Sequence, residues 1–197
     1  MPIANQTATL GFPTIAASHK GSVYVAWLDE RDHPQPEGSS SVYLTRSTDR
    51  GATFSPNLKI APAACPCCRP QLYVASNGEI YLAWRKVFNG DVQDMVIARS
   101  NDGGKMFSQP VRVAVDNWVL HACPDVGPAI AVNDGVLYVA WYSGDVLDTN
   151  HPRLSVSEDG RVLLVFQGRP LHDTTTWRSN QVYLLEIKGD NAVGKFR

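Results

Sequence analysis

Three cysteines fall within four positions in Ala64-Cys65-Pro66-Cys67-Cys68-Arg69, and a fourth, Cys123, stands far off in Leu120-His121-Ala122-Cys123-Pro124-Asp125. Two short loops thus hold thiols, an imidazole, a guanidinium and a carboxylate. For the thiols three chemistries are open. A disulfide from Cys123 to Cys67 or Cys68 would staple the loops together and stabilise the fold by roughly 2–4 kcal/mol. A thiolate site with His121 as an extra ligand would suit Zn or Cu(I), although Cys-x-Cys-Cys is not one of the familiar zinc spacings. Free buried thiols are the third state. No other cofactor is expected.

The charged residues offer a second set of roles. Arg69 and Arg153 each stand beside a proline and would clamp an anion, since a guanidinium presents a fork matched to a carboxylate. Asp125 and Asp145 are acid/base candidates and Tyr142 a polar contact or nucleophile. With His121, Arg69, Asp125 and Asp145 make up the ligand-binding set. Asp29, Glu30, Arg31, Asp32, His33, Arg85, Lys86, Arg169, His172 and Asp173 also fall in connecting segments, where the ordinary role of a charge is solvation or a salt bridge.

A repeat must position these loops. Pro13-Thr-Ile-Ala-Ala-Ser-His-Lys-Gly-Ser-Val-Tyr-Val-Ala-Trp27 is echoed by Pro70-Gln-Leu-Tyr-Val-Ala-Ser-Asn-Gly-Glu-Ile-Tyr-Leu-Ala-Trp84 and by Pro128-Ala-Ile-Ala-Val-Asn-Asp-Gly-Val-Leu-Tyr-Val-Ala-Trp141. Successive tryptophans are 57 residues apart, a fixed period that marks a repeat architecture. A weaker fourth copy, Pro152 to Phe166, comes early. Each copy is two short apolar, β-branched or aromatic runs around a turn with Gly, which reads as a β-hairpin. Further strands are expected over 41–47 and 54–61 in the first unit, then over 71–75, 80–85, 94–100 and 107–115 in the second, with a loop over 86–93. Four antiparallel strands per unit of this size match one propeller blade. Trp27, Trp84 and Trp141 close a strand at the same phase, so they are expected as packing between blades.

The expected fold is therefore all-β, one propeller-type domain over 1–197, with blade units at about 11–62, 69–116, 127–150 (truncated) and 151–197. Either the third blade is degenerate or the fourth hairpin fills its outer positions. Three to four blades fall short of a usual ring, and unpaired edges invite another chain; either a homo-oligomer completing the ring or a fragment of a longer parent is expected.

Bulk composition excludes other classes. At 44% hydrophobic and 19% charged the chain has enough apolar material for a core. A net charge of -1 gives no basic footprint for nucleic acid or an anionic membrane, so neither is expected as a partner. No apolar run approaches the roughly 20 residues of a bilayer-crossing helix. Met1 to Gln6 lacks the basic and apolar regions of a secretion signal, so a periplasmic or secreted location would rest on a leader outside these residues.

Two turns share a pattern. Ser47-Thr-Asp49-Arg-Gly51-Ala-Thr-Phe54 and Ser100-Asn-Asp102-Gly-Gly104-Lys-Met-Phe107 both fit Ser-x-Asp-x-Gly-x-x-aromatic. The aspartate accepts bonds from amides of its own turn, glycine takes a left-handed conformation and the aromatic anchors the hairpin; the role is structural. On strand hairpins at blade spacing, this resembles the Asp-box, or bacterial neuraminidase repeat, of the sialidase-like propellers. The resemblance implies a propeller six-bladed when complete, with a ligand site on the face opposite the boxes. Sialidases of that family are also expected to carry an Arg-Ile-Pro signature, an arginine triad, a tyrosine–glutamate pair and an acid/base aspartate. This chain has no Arg-Ile-Pro, and Phe12-Pro-Thr-Ile has no arginine at all. A binding or scaffold protein for a carbohydrate or small anionic ligand is therefore favoured, ahead of an exo-acting glycoside hydrolase acting through Arg69, Arg153, Asp125 and Tyr142, and of a cysteine-based metal binder.

Overall fold

Tyr24, Ala26 and Leu28 join one buried cluster while Val25 and Trp27 of the same strand join another. Successive side chains of a strand point to opposite faces, so this strand lies in a sheet covered on both sides, which is what a stack of sheets requires. The computed structural model describes residues 10–32, 39–120, 125–133, 136–143, 151–158, 161–167, 182–188 and 191–192; Leu10 and everything from 151 onward are described by backbone alone.

Among the described residues every regular element is a strand. The first meander is β1 (Leu10–Ala17), β2 (Val23–Asp29), β3 (Ser40–Ser47) and β4 (Leu58–Ala64). The second is β5 (Gln71–Val74), β6 (Ile80–Phe88), β7 (Val92–Ser100) and β8 (Val111–Arg112). Pairing of Ala64 with Lys86 joins β4 to β6, so the two meanders touch at one corner. The third sheet runs β9 (Ala129–Asn133), β10 (Val136–Ser143), β11 (His151–Glu158), β12 (Arg161–Gln167), β13 (Val182–Lys188) and β14 (Asn191–Ala192) in one antiparallel path. The early fourth hairpin, β11 and β12, thus occupies the positions outside β10.

The strand expected over 54–61 runs instead over Leu58–Ala64, and two further boundaries differ from expectation for local reasons. The loop expected over 86–93 shrinks to Asn89-Gly90-Asp91, because Gly90 and Asp91 both take positive φ and close a tight turn between paired Phe88 and Val92. The strand expected over 107–115 pairs only at Val111 and Arg112; Pro110 precedes it and has no amide proton for a ladder.

Strands β1, β5 and β9 lie against one another in sequence and are the inner strands of successive blades. The core sits between blades. Tyr24, Ala26, Leu28, Val42 and Leu44 of the first meet Ile80, Leu82, Trp84, Val96 and Ala98 of the second. The other face of the second blade, with Tyr81, Ala83, Met95 and Ile97, meets Val139 and Trp141 of the third. Trp84 and Trp141 therefore each face the preceding blade. Trp27, at the same phase, stacks on Tyr43 at 6.2 Å, and Asp29 accepts its indole N–H at 2.8 Å. The Arg31 guanidinium bonds Asp29 and lies 4.4 Å over Tyr43. Burial pushes the Asp29 carboxyl up, but the bonds from Arg31 and Trp27 outweigh it and hold the group below its ordinary range.

The Ser-x-Asp-x-Gly turns close the opposite ends of the sheets from the starts of β1, β5 and β9, as antiparallel order dictates. In the first, Ser47 Oγ donates to Asp49 Oδ1 at 2.6 Å, and Asp49 accepts from Thr53 N at 2.9 Å and Thr53 Oγ1 at 2.5 Å. In the second, Asp102 Oδ1 accepts from Ser100 Oγ at 2.8 Å, Lys105 N at 2.9 Å and Met106 N at 3.1 Å. Gly104 has φ +78, and a Cβ there would meet the Tyr24 ring at 3.1 Å; only glycine serves the turn and the blade contact together. Phe54 and Phe107 pack into the aromatic clusters beside them.

Two outcomes test this packing. The Trp84 indole N–H is buried without a partner among the described residues, so Trp84→Phe discards an unpaired donor, whereas Trp27→Phe strips a bond from buried Asp29. Chemical denaturation should show Trp27→Phe the more destabilising, by about 1–3 kcal/mol; equal losses would contradict the assigned roles. The second concerns pH. Hydrogen bonds from Ser47 and Thr53 lower the Asp49 carboxyl from 3.8 to about 2. A lowered folded-state pKa stabilises above the unfolded value and the gain is lost on acidification. The gap in thermal midpoint between the parent protein and Asp49→Ala should hold above pH 3.8 and close as pH falls through about 2.

Candidate functional site

Pro13 lies near the start of β1, Pro70 and Pro128 stand directly before β5 and β9, and the segments around them converge. Pro13, Thr14, Arg69, Pro70, Gln71, Asp125, Val126, Gly127 and Pro128 line a cavity of about 480 Å³, within the size range of small-molecule sites. It lies at the end of the sheets away from the Ser-x-Asp-x-Gly turns.

Close approach of two chain segments builds the cavity wall. A Cβ on Gly127 would overlap the Arg69 carbonyl oxygen and come within 3.0 Å of the Arg69 Cβ, so glycine lets the third blade's entry lie on the second's. Asp125, at φ 52, takes the left-handed conformation that aspartate tolerates better than most residues. Thr14 Oγ1 accepts from Leu72 N at 3.4 Å and Gln71 Nε2 donates to Leu72 O at 3.1 Å, which ties both side chains to inner-strand backbone. Arg69 and Asp125 are exposed to the cavity, and among the described residues no ion pair joins them to each other or to a third group. Among the described residues, Arg69 is the one cation and Asp125 the one carboxylate lining the cavity.

The other candidates are placed elsewhere. Tyr142 is half-buried in β10: its carbonyl accepts from Arg85 Nη2 at 2.5 Å and its ring meets Trp118 edge-on at 5.9 Å. Arg153 belongs to β11, where its backbone stands opposite Trp141, two strands outward from β9. His121, Cys123 and Asp145 lie outside the described residues, as do His33, Arg169, His172 and Asp173.

Arg85 leaves the loop set altogether. Its side chain is 1% exposed, donates to Gln93 O at 2.8 Å and lies 4.7 Å over the Trp118 ring. Burial lowers its pKa to about 10, against the opposing pull of Asp116 and Asp94, and it stays charged at neutral pH. Trp118, with no signal in the repeat pattern, pins this layer: Asp94 Oδ1 accepts its amide at 3.2 Å, and its carbonyl accepts from Gln93 N at 2.7 Å. Asp116 in the same segment accepts the Trp141 indole N–H at 2.7 Å. These groups hold the second blade to the third.

The cysteines form a closed turn. Cys65 and Cys68 are joined by a disulfide across Cα atoms 5.4 Å apart, an ordinary span for the bond. Cys68 N donates to Cys65 O at 3.3 Å, and Cys65 N to Arg85 O at 2.9 Å. Pairing inside the loop corrects the Cys68 alternative of the expected bond from Cys123 to Cys67 or Cys68, because the turn already sets its two ends at bonding distance; Cys67 is itself disulfide-bonded. Cys67 Sγ lies 3.6 Å from Cys65 Sγ, and none of the described cysteines is a free thiol.

With the geometry in view, likeness to known proteins is informative. No protein-family profile and no curated protein sequence matches the chain. Solved structures do match. A Hadza microbial sialidase superposes with a TM-score of 0.56 at 16% identity, over 90% of this chain and 44% of its own. An α-L-arabinanase of Penicillium chrysogenum, complexed with arabinobiose, gives 0.53 at 16% identity, over 94% and 65%. The α-L-arabinofuranosidase Arb93A of Fusarium graminearum, bound to an iminosugar inhibitor, gives 0.54 at 12% identity, over 90% and 62%. The fold is an incomplete sialidase-type propeller. The chain spans less than two thirds of the length of each of these proteins, and at such identities the likeness carries the architecture alone.

The propeller's cavity wall is open to test at its tightest point. Gly127→Ala should destabilise the protein by about 1–3 kcal/mol, the usual cost of overpacking, in denaturant titration. A variant as stable as the parent would mean that the two loops do not lie in contact.

Proposed function

We propose that this propeller is a binding or scaffold protein whose axial cavity takes a small carbohydrate bearing an anionic group. One observation carries the reading: Arg69 and Asp125 share a cavity lined by the entries to all three inner strands, unpaired with each other among the described residues. An anionic oxygen would meet the guanidinium fork and sugar hydroxyls would donate to the carboxylate, each charge-assisted bond being worth about 1.5–3 kcal/mol. Thr14 and Gln71 add polar atoms. Sugar-directed proteins among structures of the same fold, such as the arabinanase complexed with arabinobiose, support the ligand class.

Binding is preferred to hydrolysis on the count of acids. Paired-carboxyl glycoside hydrolysis needs two groups about 5–10 Å apart, and Asp125 is the one carboxylate lining the cavity among the described residues. Tyr142, a nucleophile candidate from sequence, lies in the blade-to-blade layer.

Calorimetric titration with N-acetylneuraminate, glucuronate and neutral arabinose tests the reading. The acids should bind, the neutral sugar more weakly, and Arg69→Ala should weaken acid binding about tenfold or more. Indifference to all three sugars, or to both Arg69→Ala and Asp125→Ala, would refute it. Turnover of a fluorogenic sialoside, abolished by Arg69→Ala, would assign the glycoside hydrolase reading instead.

A further inference from the structure

We infer that Asn89, on the turn between β6 and β7, is a self-modification site: its side chain condenses with the Gly90 amide and opens to isoaspartate, the substrate of an isoaspartate carboxyl methyltransferase. The reaction needs no ligand in the cavity. Asn77-Gly78 and Asn89-Gly90 are the two Asn-Gly pairs of the sequence. Glycine after asparagine has no Cβ to block the approach of its nitrogen to the asparagine side chain, and it reaches backbone conformations closed to other residues. Both pairs are exposed and both glycines have positive φ, so neither residue type nor exposure separates them. Their hydrogen bonds do.

Asn77 is held in place. Its Nδ2 donates to Glu79 Oε2 at 3.0 Å, and its Oδ1 accepts from Glu79 N at 3.0 Å. The Gly78 N–H donates to Ala75 O at 2.9 Å, so attack by that nitrogen would first break a bond of the turn. The bond from Asn77, with that from Tyr81, holds the Glu79 carboxyl below its ordinary range. An anion therefore sits on the amide that would have to leave, and it opposes the negative charge that builds as the nitrogen attacks.

Among the described residues Asn89 has no such restraint. Strand pairing closes at Phe88 and Val92, and Gly90 and Asp91, at φ 75 and 57, carry the reversal. The turn is tied to the fold through Asp91, whose carbonyl accepts from Leu120 N at 3.3 Å. That tie leaves the Asn89 side chain and the Gly90 amide to solvent.

The step balances without an oxidant or reductant. Base takes the Gly90 amide proton, the nitrogen bonds to Asn89 Cγ, and the Cγ–Nδ2 bond breaks as Nδ2 takes a proton from solvent and leaves as ammonia. Water then opens the cyclic imide. Opening at Cγ gives aspartate; opening at the backbone carbonyl gives isoaspartate, whose chain runs through Cβ and Cγ and whose α-carboxylate is free for methyl transfer. The longer backbone falls between the strands that carry Arg85 and Gln93.

The test uses the full chain in mildly alkaline buffer, folded or in guanidinium chloride, with peptide mapping by mass spectrometry at intervals and isoaspartate counted by methyl transfer from labelled S-adenosylmethionine. In the folded protein position 89 should accumulate isoaspartate several-fold faster than position 77, and in denaturant the two should convert at comparable rates. Asn89→Gln should remove most of the methyl uptake of the folded protein, Asn77→Gln should leave it, and Glu79→Ala should speed conversion at position 77. Mapping of the parent protein needs no variant, so a variant that fails to fold leaves the test intact. Conversion at position 77 as fast as at 89 in the folded chain, the same preference for 89 in denaturant, methyl uptake that survives Asn89→Gln, or a folded protein free of isoaspartate over the interval that converts the denatured chain would each overturn the assignment.

Discussion

Trp84 is buried in a cluster that Tyr24, Ala26 and Leu28 of the preceding blade complete, so the core of this protein lies between blades. A lone four-stranded sheet would leave both pleated surfaces wet, and apolar burial is the main favourable term in folding. Every other feature answers to this mutual cover. Trp84 and Trp141 keep one phase so that each faces the preceding blade, the Ser-x-Asp-x-Gly turns are compact enough for Tyr24 to reach Gly104, and Arg85 bonds a carbonyl of the next blade across the seam.

What could be read beforehand follows from how local each signal is. Hairpins and their 57-residue phase rest on alternation and turn chemistry within about fifteen residues, and these were legible. The convergence of Arg69 and Asp125 was legible too, because antiparallel order sends all three strand-opening prolines to one end. Arg85 was not. It was expected as the last residue of a strand over 80–85, at the edge of a loop, and the extension of β6 to Phe88, allowed by positive φ at Gly90 and Asp91, puts it inside. Trp118 lies in irregular chain, where no period exists to detect, and its role depends on contacts with Gln93, Asp94 and Tyr142 made across the fold. The Cys65–Cys68 bond was missed because spacing alone does not say how tightly a loop turns.

One loop serves two regions. Its backbone is tied to β6 through Cys65 and Arg85, its disulfide closes it, and the residue that follows is Arg69, the cavity's cation. A guanidinium on a long stem is a poor recognition element unless its backbone is fixed. Here the fixing comes from a covalent turn on one side and from the carbonyl contact with Gly127 on the other.

The ties between blades share a trait. Arg46 to Gly103, Leu72 to Thr14, Tyr73 to Val132 and Arg85 to Tyr142 join residues 57, 58, 59 and 57 positions apart. These four ties each run about one period to the neighbouring blade, as in architectures that grow by stacking, while Ala64–Lys86 and Asp116–Trp141 bridge blades over shorter separations. Genetic recombination that copies or removes a whole period therefore leaves surviving partners matched, whereas loss of a dozen residues within a period mismatches the ties that span it. The molecule is built to change its number of blades more readily than the length of any one.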